Sequence, residues 1–376
     1  MIRNSLLFSD KVRNYGFKMG VVNTDSEFIK EHIPPSKNKL QFIYEAIINS
    51  LEANDTEDVQ IKIIFNFDKQ TDGQRKLGQI DILDNGSGFT DESYERFRIC
   101  ANKSKKKNNR GCGRVQFYHN FKEVEVESVY KKGSKVKKRK FVYDSDNFGE
   151  AKIPEIIEDI ASNEEMITCV SLKQYQGRDK SIDIITIDDF ISSLQSNLLL
   201  RFYLENKENI KINVRVEFKI GEESEKREIF NSSLPTPIEE GEIKVSYERI
   251  TDKTGKLEFE PTEKKEFIKW SHFKIENDNS KGNEIKLCSK NIPVCDMSKF
   301  CGLDKMCQHS ENKYLTVFYG DVFDKAENVN DSVDGFKFPR KRDFKKEEQD
   351  LFSDDFLFYE TIEDEIKNVL PRIYKE

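Results

Sequence analysis

Glu45 and Asn49, in the stretch YEAIINSLEA (residues 44–53), are a carboxylate and an amide four residues apart. On a helix that spacing points both side chains into the same space, where a carboxylate can exchange protons and an amide oxygen can act as a ligand. Ile43, Ile47, Ile48 and Leu51 recur at near-helical spacing, so the segment reads as a helix with one buried side and one polar side. Such a pair is also common on solvated helix faces, and it gains meaning only in company with segments later in the chain.

After a strand-like run from Val59 to Phe67 comes QIDILDNGSGF, residues 79–89. Ile80, Ile82 and Leu83 read as a buried strand ending in Asp84, with Gly86 and Gly88 bracketing a serine. Glycines there let backbone approach a flat ligand, and ionised Asp84 accepts a hydrogen bond from an exocyclic amine such as that of adenine. An Asn-Gly turn between strands fits the same residues. Next, in SKKKNNRGCGRVQFY (residues 104–118), Gly111 and Gly113 precede an apolar run, so their amides are candidates to line a phosphate pocket. The lysines before them, Lys105 included, suit the screening of phosphate charge or a solvated loop. A fourth segment, EEMITCVSLKQY (residues 164–175), is an alternating strand carrying the Thr168 hydroxyl.

In this order the four segments resemble the ATP-binding module shared by gyrase, heat-shock chaperone ATPases, histidine kinases and MutL, the GHKL superfamily. Glu45, Asn49, Ser50 and Ala53 match the first motif, Asp84, Gly86 and Gly88 the second, Gly111 and Gly113 the third, and Thr168 the fourth. The match spans residues 20–180, and the layout is closest to stand-alone or multidomain chaperone-like and MutL-like ATP-binding proteins of bacteria. The resemblance implies an α+β chain: a Bergerat-type α/β sandwich followed by a second, transducer-like α/β domain. It also implies that Glu45 polarises the attacking water, Asn49 holds a magnesium ion, and Asp84 reads adenine.

Those residue types suit phosphoanhydride hydrolysis, which needs one base, one divalent ion and a ring of donors around developing charge. Magnesium keeps most of its waters, so one asparagine oxygen suffices beside the phosphates. Residues 90–110 would form a lid that orders over the nucleotide, with Asn108 and Asn109 close to Gly111. The chain departs from the family in its compact third motif, where Arg114 and Val115 replace further glycine, and in Glu52, where many relatives carry aspartate.

With 376 residues the chain has room for two or three domains, and the sequence divides into a strap (1–20), the ATP-binding domain (21–180), a connecting helix (181–206), a transducer-like domain (207–345) and an acidic helical tail (346–376). No stretch is apolar enough to span a membrane and no signal-peptide pattern opens the chain. Seven scattered cysteines fit a reduced, cytoplasmic protein, and the net charge of −7 gives no global case for nucleic acid. Locally, the predicted hairpin of residues 124–143 carries Lys131, Lys132, Lys135, Lys137, Lys138, Arg139 and Lys140 around Gly133. Such a tip suits phosphate backbone, though lysines that protect a sheet edge are commoner.

Leu6, Leu7, Phe8 and Phe17 mark the strap as an arm that crosses to a partner subunit or packs on its own domain. Beyond the connecting helix, alternation at residues 212–220, 241–250, 267–275, 283–294 and 313–324 predicts strands. In relatives the second domain returns a basic side chain to the terminal phosphate, and Lys337, Arg340, Lys341 and Arg342 are the candidates. Cys288, Cys295, Cys301, Cys307 and His309 lack any Cys-x-x-Cys pair and match structural zinc poorly. The expected function is a magnesium-dependent ATPase switch whose lid closure promotes homodimerisation, acting on an effector in bacterial defence or in DNA or protein remodelling. The alternatives are a sensor-type kinase, for which His32, His119, His272 and His309 lack the usual setting ahead of the first motif, and a non-hydrolysing ATP-binding scaffold.

Overall fold

Ile80 and Ile82 lie buried, with Leu77, along a strand that ends at Asp84, whereas Leu83, also expected inside, alternates to the other side and is half-buried. The structure, a computed structural model, describes residues 26–98, 113–146, 155–177, 179–253, 256–275, 282–299, 312–325, 327–330, 334–344 and 354–374. The expected N-terminal strap lies outside them. The chain is α+β, with two mixed sheets and helices packed on them.

The first sheet is built from β1 (Asp58–Lys69), β2 (Arg75–Asp84), β3 (Phe121–Lys132), β4 (Lys135–Asp144), β5 (Glu155–Ile160), β6 (Thr168–Tyr175), β7 (Lys211–Ile220) and β8 (Glu223–Phe230). Its order is β5-β4-β3-β6-β2-β1-β7-β8. Every pairing is antiparallel except β1 with β7. One face meets helices α1 (Ser26–His32), α2 (Gln41–Glu52), α3 (Asp91–Arg98) and α4 (Val115–Asn120), with the short α5 (Ser181–Ile184) and the long α6 (Ile187–Lys207). The other face carries ion pairs across strands, among them Lys140–Glu125, Lys173–Glu125 and Lys62–Glu217. Helix α2 buries Phe42, Ile43, Ile47 and Leu51, each contributing about 1.5–3 kcal/mol of transfer free energy, while Asn49 stays exposed.

The single helix expected over 182–206 is two. Ile185 is extended, and Thr186 then starts α6 by accepting the Asp189 N–H at 3.0 Å. Helix α6 buries the expected Phe190, Leu194, Leu198 and Phe202, and Phe190 meets Phe65 edge-on with centroids 4.9 Å apart. It leads straight into β7, so residues 211–230, which the sequence groups with the second unit, extend the first sheet. Alternation marks a strand but not the sheet that receives it; here Phe218 packs on Phe65 at 4.6 Å.

The second sheet comprises β9 (Pro237–Lys253), β10 (Lys256–Ile275), β11 (Glu284–Ser289), β12 (Ile292–Asp296), β13 (Lys313–Tyr319) and β14 (Asp355–Phe356), in the order β12-β11-β13-β10-β9-β14. The strand expected over 283–294 is a hairpin, turned by Lys290 and Asn291 at φ of 52° and 64°. The chain closes with a helix, Tyr359–Ile373, that buries Ile362, Ile366 and Leu370 against this sheet. Helix α6 lies between the sheets: Phe273, Cys288, Leu315 and Val317 of the second join the same apolar cluster as its own Leu198 and Phe202. Among the described residues no helix is long and apolar enough to cross a membrane.

Candidate functional site

Asp84 sits where β2 ends and is 7% exposed. Ser50 Oγ, from the last turns of α2, donates to its Oδ2 at 3.0 Å, and the Gly86 N–H donates to Oδ1 at 2.9 Å. Both donors are neutral. Burial pushes the carboxyl up to about 6, against the opposing pull of those two hydrogen bonds.

The next two glycines are there for space. A β-carbon on Gly86 would stand 2.8 Å from Asp84 Oδ1 and 2.9 Å from the Ala53 carbonyl oxygen. That carbonyl, at the end of α2, accepts from both the N–H and the hydroxyl of Ser87 at 2.9 Å. Gly88 has φ of +77°, and a β-carbon there would come within 2.8 Å of Ser128 Oγ. Asn85 accepts from the Gln60 N–H at 2.8 Å and donates to the Asp58 carbonyl at 2.9 Å. The Asp-Asn-Gly segment therefore leads to α3 and is no hairpin turn.

Thr168 begins β6 directly opposite Asp84 in register, and Ser128 of β3 is opposite Thr168 on its other side. Their hydroxyl oxygens are 2.9 Å apart. Ser128 Oγ also accepts the Phe89 N–H at 2.8 Å, so the loop after Gly88 is tied to the strand beneath it.

Glu45 is half-buried one turn before Asn49. Gln41, one turn earlier, is 4% exposed and donates from Nε2 to Glu45 Oε1 at 3.0 Å. A β-carbon on Gly113 would fall 1.9 Å from Glu45 Oε2, so the third-motif backbone lies hard against this carboxylate. Just beyond, Gln116 accepts from the Ser36 N–H at 2.8 Å and donates to the Pro34 carbonyl at 3.1 Å, fixing the loop before α2. Ser50, Asp84, Gly86 and Thr168 thus meet at the end of β2, and Glu45 with Gly113 forms a second contact, joined to the first through α2, which carries both Glu45 and Ser50. Lys105 and Gly111 lie outside the described residues, as do Asn108 and Asn109.

The expected lid begins as a helix, α3, in place of a loop. Thr90 Oγ1 accepts the Ser93 N–H at 3.2 Å, and Phe97 packs on Phe89 and Phe141. Arg139 of the basic hairpin does not face solvent: it is 1% exposed, lies between the Tyr94 and Tyr130 rings at 4.8 Å from each, and donates to the Phe89 carbonyl. It also pairs with Asp91 and with Glu155, and hydrogen bonds from Lys132 and Arg139 hold Asp91 down at about 2. Lys135 and Lys137 pair with Asp159, and Lys138 with Glu127. Much of the hairpin's charge is answered by carboxylates, on α3 and β5 and on β3 of the hairpin itself, which a linear reading of lysines misses.

Of the four basic candidates in the second unit, Lys341 pairs with Glu248 at 2.7 Å and Arg340 lies 4.3 Å over the Tyr359 ring. Arg342 is 3.8 Å from Asp343, with most of its side chain in solvent. Lys337 is exposed on a turn closed by the Lys337 N–H donating to the Asn328 carbonyl, and Asp334 of the same turn accepts the Lys37 N–H at 3.3 Å. That turn touches the loop leading into α2. Cys288 is buried in the core shared with α6, whereas Cys295 packs against the core of the closing helix; Cys301, Cys307 and His309 lie outside the described residues. No group of three or more His, Cys, Asp or Glu is assembled for a metal among the described residues.

Gln41 and Ser128 are the residues in contact with the candidate site that sequence reasoning missed. Gln41 was findable, since it precedes Glu45 by the same four residues that link Glu45 to Asn49. Ser128 gave no signal, because only the sheet order brings it beside Thr168.

No family model and no curated protein matches this chain. Among solved structures it is similar to one described as the N-terminal domain of a DNA repair protein, with a TM-score of 0.51 and 14% identity over 92% of this chain and 96% of that one. At that identity the likeness is one of fold.

Proposed function

We propose that the chain is a magnesium-dependent ATPase of the GHKL type, its first unit a Bergerat sandwich and its second a transducer. The observation that carries this reading is Asp84: a buried carboxylate whose donors among the described residues are neutral, at the point where the first, second and fourth motif segments touch. An acceptor kept in that state suits an exocyclic amine, as on adenine.

Glu45 is the base that orients and deprotonates the attacking water, and Gln41 holds one of its oxygens in place. Asn49 offers an exposed amide oxygen one turn further on, a donor set that fits a magnesium ion which otherwise keeps waters and phosphate oxygens. When bound, that ion would neutralise charge on the phosphates. Helix α6, packed between the two sheets, and the Asp334–Lys37 contact would couple the nucleotide site to the second unit, with Lys337 the basic residue on the coupling turn. A sensor kinase has less support, since His272 is buried and His119 Nε2 is engaged with the Ile33 carbonyl at 2.7 Å.

The test is Glu45→Ala. Nucleotide affinity should stay within about twofold of wild type while turnover falls by about 10²–10⁴-fold, the usual worth of a positioned base. Unchanged turnover would overturn the mechanism, and a wild type that binds but releases no phosphate would leave a scaffold.

A further inference from the structure

We propose that the end of the first sheet away from Asp84 binds a free α-amino acid, in a cleft of about 680 Å³ that crosses β1, β2 and β6. The cleft is lined by residues 76–79 of β2, and Asp84 ends that strand, so at about 3.3 Å per residue the two places lie roughly 20 Å apart. Glu45 and the nucleotide take no part in it.

Two neighbouring strands break their regular alternation at the same level. In β2, Gln79 faces Asn66 and Leu77 faces Phe67, so Gly78 is the extra residue of a bulge. A β-carbon on Gly78 would stand 2.9 Å from Asp68 Oδ2, and glycine leaves that carboxylate its place. In β6, Leu172 and Tyr175 both enter the helix-side core although they are three positions apart, and Gln174 takes up the difference at φ of 57°. That conformation is strained for glutamine, and such strain persists where the surrounding structure fixes it. Gln174 and Gln176 therefore stand exposed at the cleft on either side of the buried Tyr175.

The polar groups around the cleft are sorted by function. Asn66 Nδ2 donates to Asp81 Oδ2 at 2.9 Å and Gln79 Nε2 to Asp81 Oδ1 at 2.6 Å, so the carbonyl oxygens of both amides are left as acceptors. With the Asp68 carboxylate they make a set of three, the number of hydrogen bonds an ammonium donates. Lys76 lies opposite Asp68 in register, where opposite charges ordinarily pair, yet neither forms an ion pair among the described residues. Lys76, Gln174 and Gln176 supply donors for a carboxylate. An α-amino acid carries its ammonium and carboxylate on one carbon and meets both sets at once. Phosphate is disfavoured, because Asp68 balances Lys76 and Lys173 is spent on Glu123 and Glu125. A nucleobase finds no ring to stack on, since Tyr175 is buried against Phe121.

The test titrates the twenty common L-amino acids singly into the full chain by calorimetry, then the N-acetyl and decarboxylated forms of the tightest. At least one amino acid should bind with Kd below about 1 mM, and each truncated form should bind about three- to tenfold more weakly, the worth of a charged contact at a partly solvated site. Lys76→Gln and Asp68→Asn, both at exposed positions, should each weaken binding by a similar factor with the thermal midpoint unchanged. Gly78→Ala should weaken it as well, by crowding Asp68, whereas Glu45→Ala should leave it as in wild type. If none of the twenty binds at that level, the proposal is overturned. Binding that survives both Lys76→Gln and Asp68→Asn would overturn it too, because the amino acid would then lie elsewhere. A chain that binds an amino acid in this way but no ATP would keep this site and lose the nucleotide reading.

Discussion

Two carboxylates are buried to nearly the same degree in the two sheets, Asp84 at 7% exposure and Glu248 at 5%, and they are treated oppositely. Glu248 receives the Lys341 ammonium at 2.9 and 2.7 Å from its two oxygens and the Thr361 hydroxyl besides. That completed pair fastens β9 to the segment before the closing helix, and Lys341 is further held over the Phe358 ring at 5.7 Å. Asp84 has no cation among the described residues, only the Ser50 hydroxyl and the Gly86 amide, and burial leaves it with its carboxyl raised to about 6. From an ordinary value near 3.8 this is a cost of about 3 kcal/mol at neutral pH. A closed ion pair is architecture. A buried acceptor with neutral donors is what the proposed nucleotide site would use.

Asp84→Asn should separate the two uses most widely. Nucleotide affinity should fall by about a hundredfold or more with the charged acceptor gone, while the ligand-free protein becomes more stable by up to about 3 kcal/mol at pH 7.5. The sign comes from the raised value: the folded state holds the proton more tightly, so wild-type stability is lost as pH rises from about 4 through about 6. The stability gap between variant and wild type should therefore be widest above pH 6 and close near pH 4. Urea unfolding across that range measures it, and a variant less stable than wild type at pH 7.5 would make Asp84 a fastening like Glu248.

Lys341→Ala asks the converse question. Stranding Glu248 should cost about 2 kcal/mol, less than for a fully enclosed pair because the lysine is 31% exposed. Nucleotide affinity and turnover should not change. A loss of turnover at unchanged stability would instead make Lys341 the residue that reaches the phosphates, and Lys337 would yield that role.

Much of this contrast was legible in the chain as written. Asp84, Gly86 and Gly88 mark a strand end with open backbone, and Glu45 and Asn49 share a helix face because their spacing allows nothing else. Local periodicity also located β1, β2 and the apolar face of α6. What was not legible depends on register and sheet order. Arg139 reads as one more lysine-like charge on a hairpin, yet strand pairing turns it inward between Tyr94 and Tyr130. Ser128 is an unremarkable strand residue until β3 lies beside β6. Residues 211–230 alternate in a way that suits either sheet, and only the turn out of α6 assigns them to the first.

The smallest expected effect tests whether the raised Asp84 is used by the ligand or merely tolerated. An ionised acceptor takes the amine hydrogen bond, and a protonated one has lost half of that capacity to its own O–H. With the carboxyl titrating at about 6, the ionised fraction, and with it the ATP affinity, should drop about fourfold between pH 7.5 and 5.5. Binding should release a proton near pH 6, because an amine donor favours the charged form and pulls the value back down. Calorimetry in buffers of different ionisation enthalpy detects that release directly. Purine riboside triphosphate, lacking the amine, should show neither the pH slope nor the proton, whereas 1-deaza-ATP should show both. Equal slopes for all three would trace the pH dependence to a group other than Asp84, and the contrast with Glu248 would reduce to stability alone.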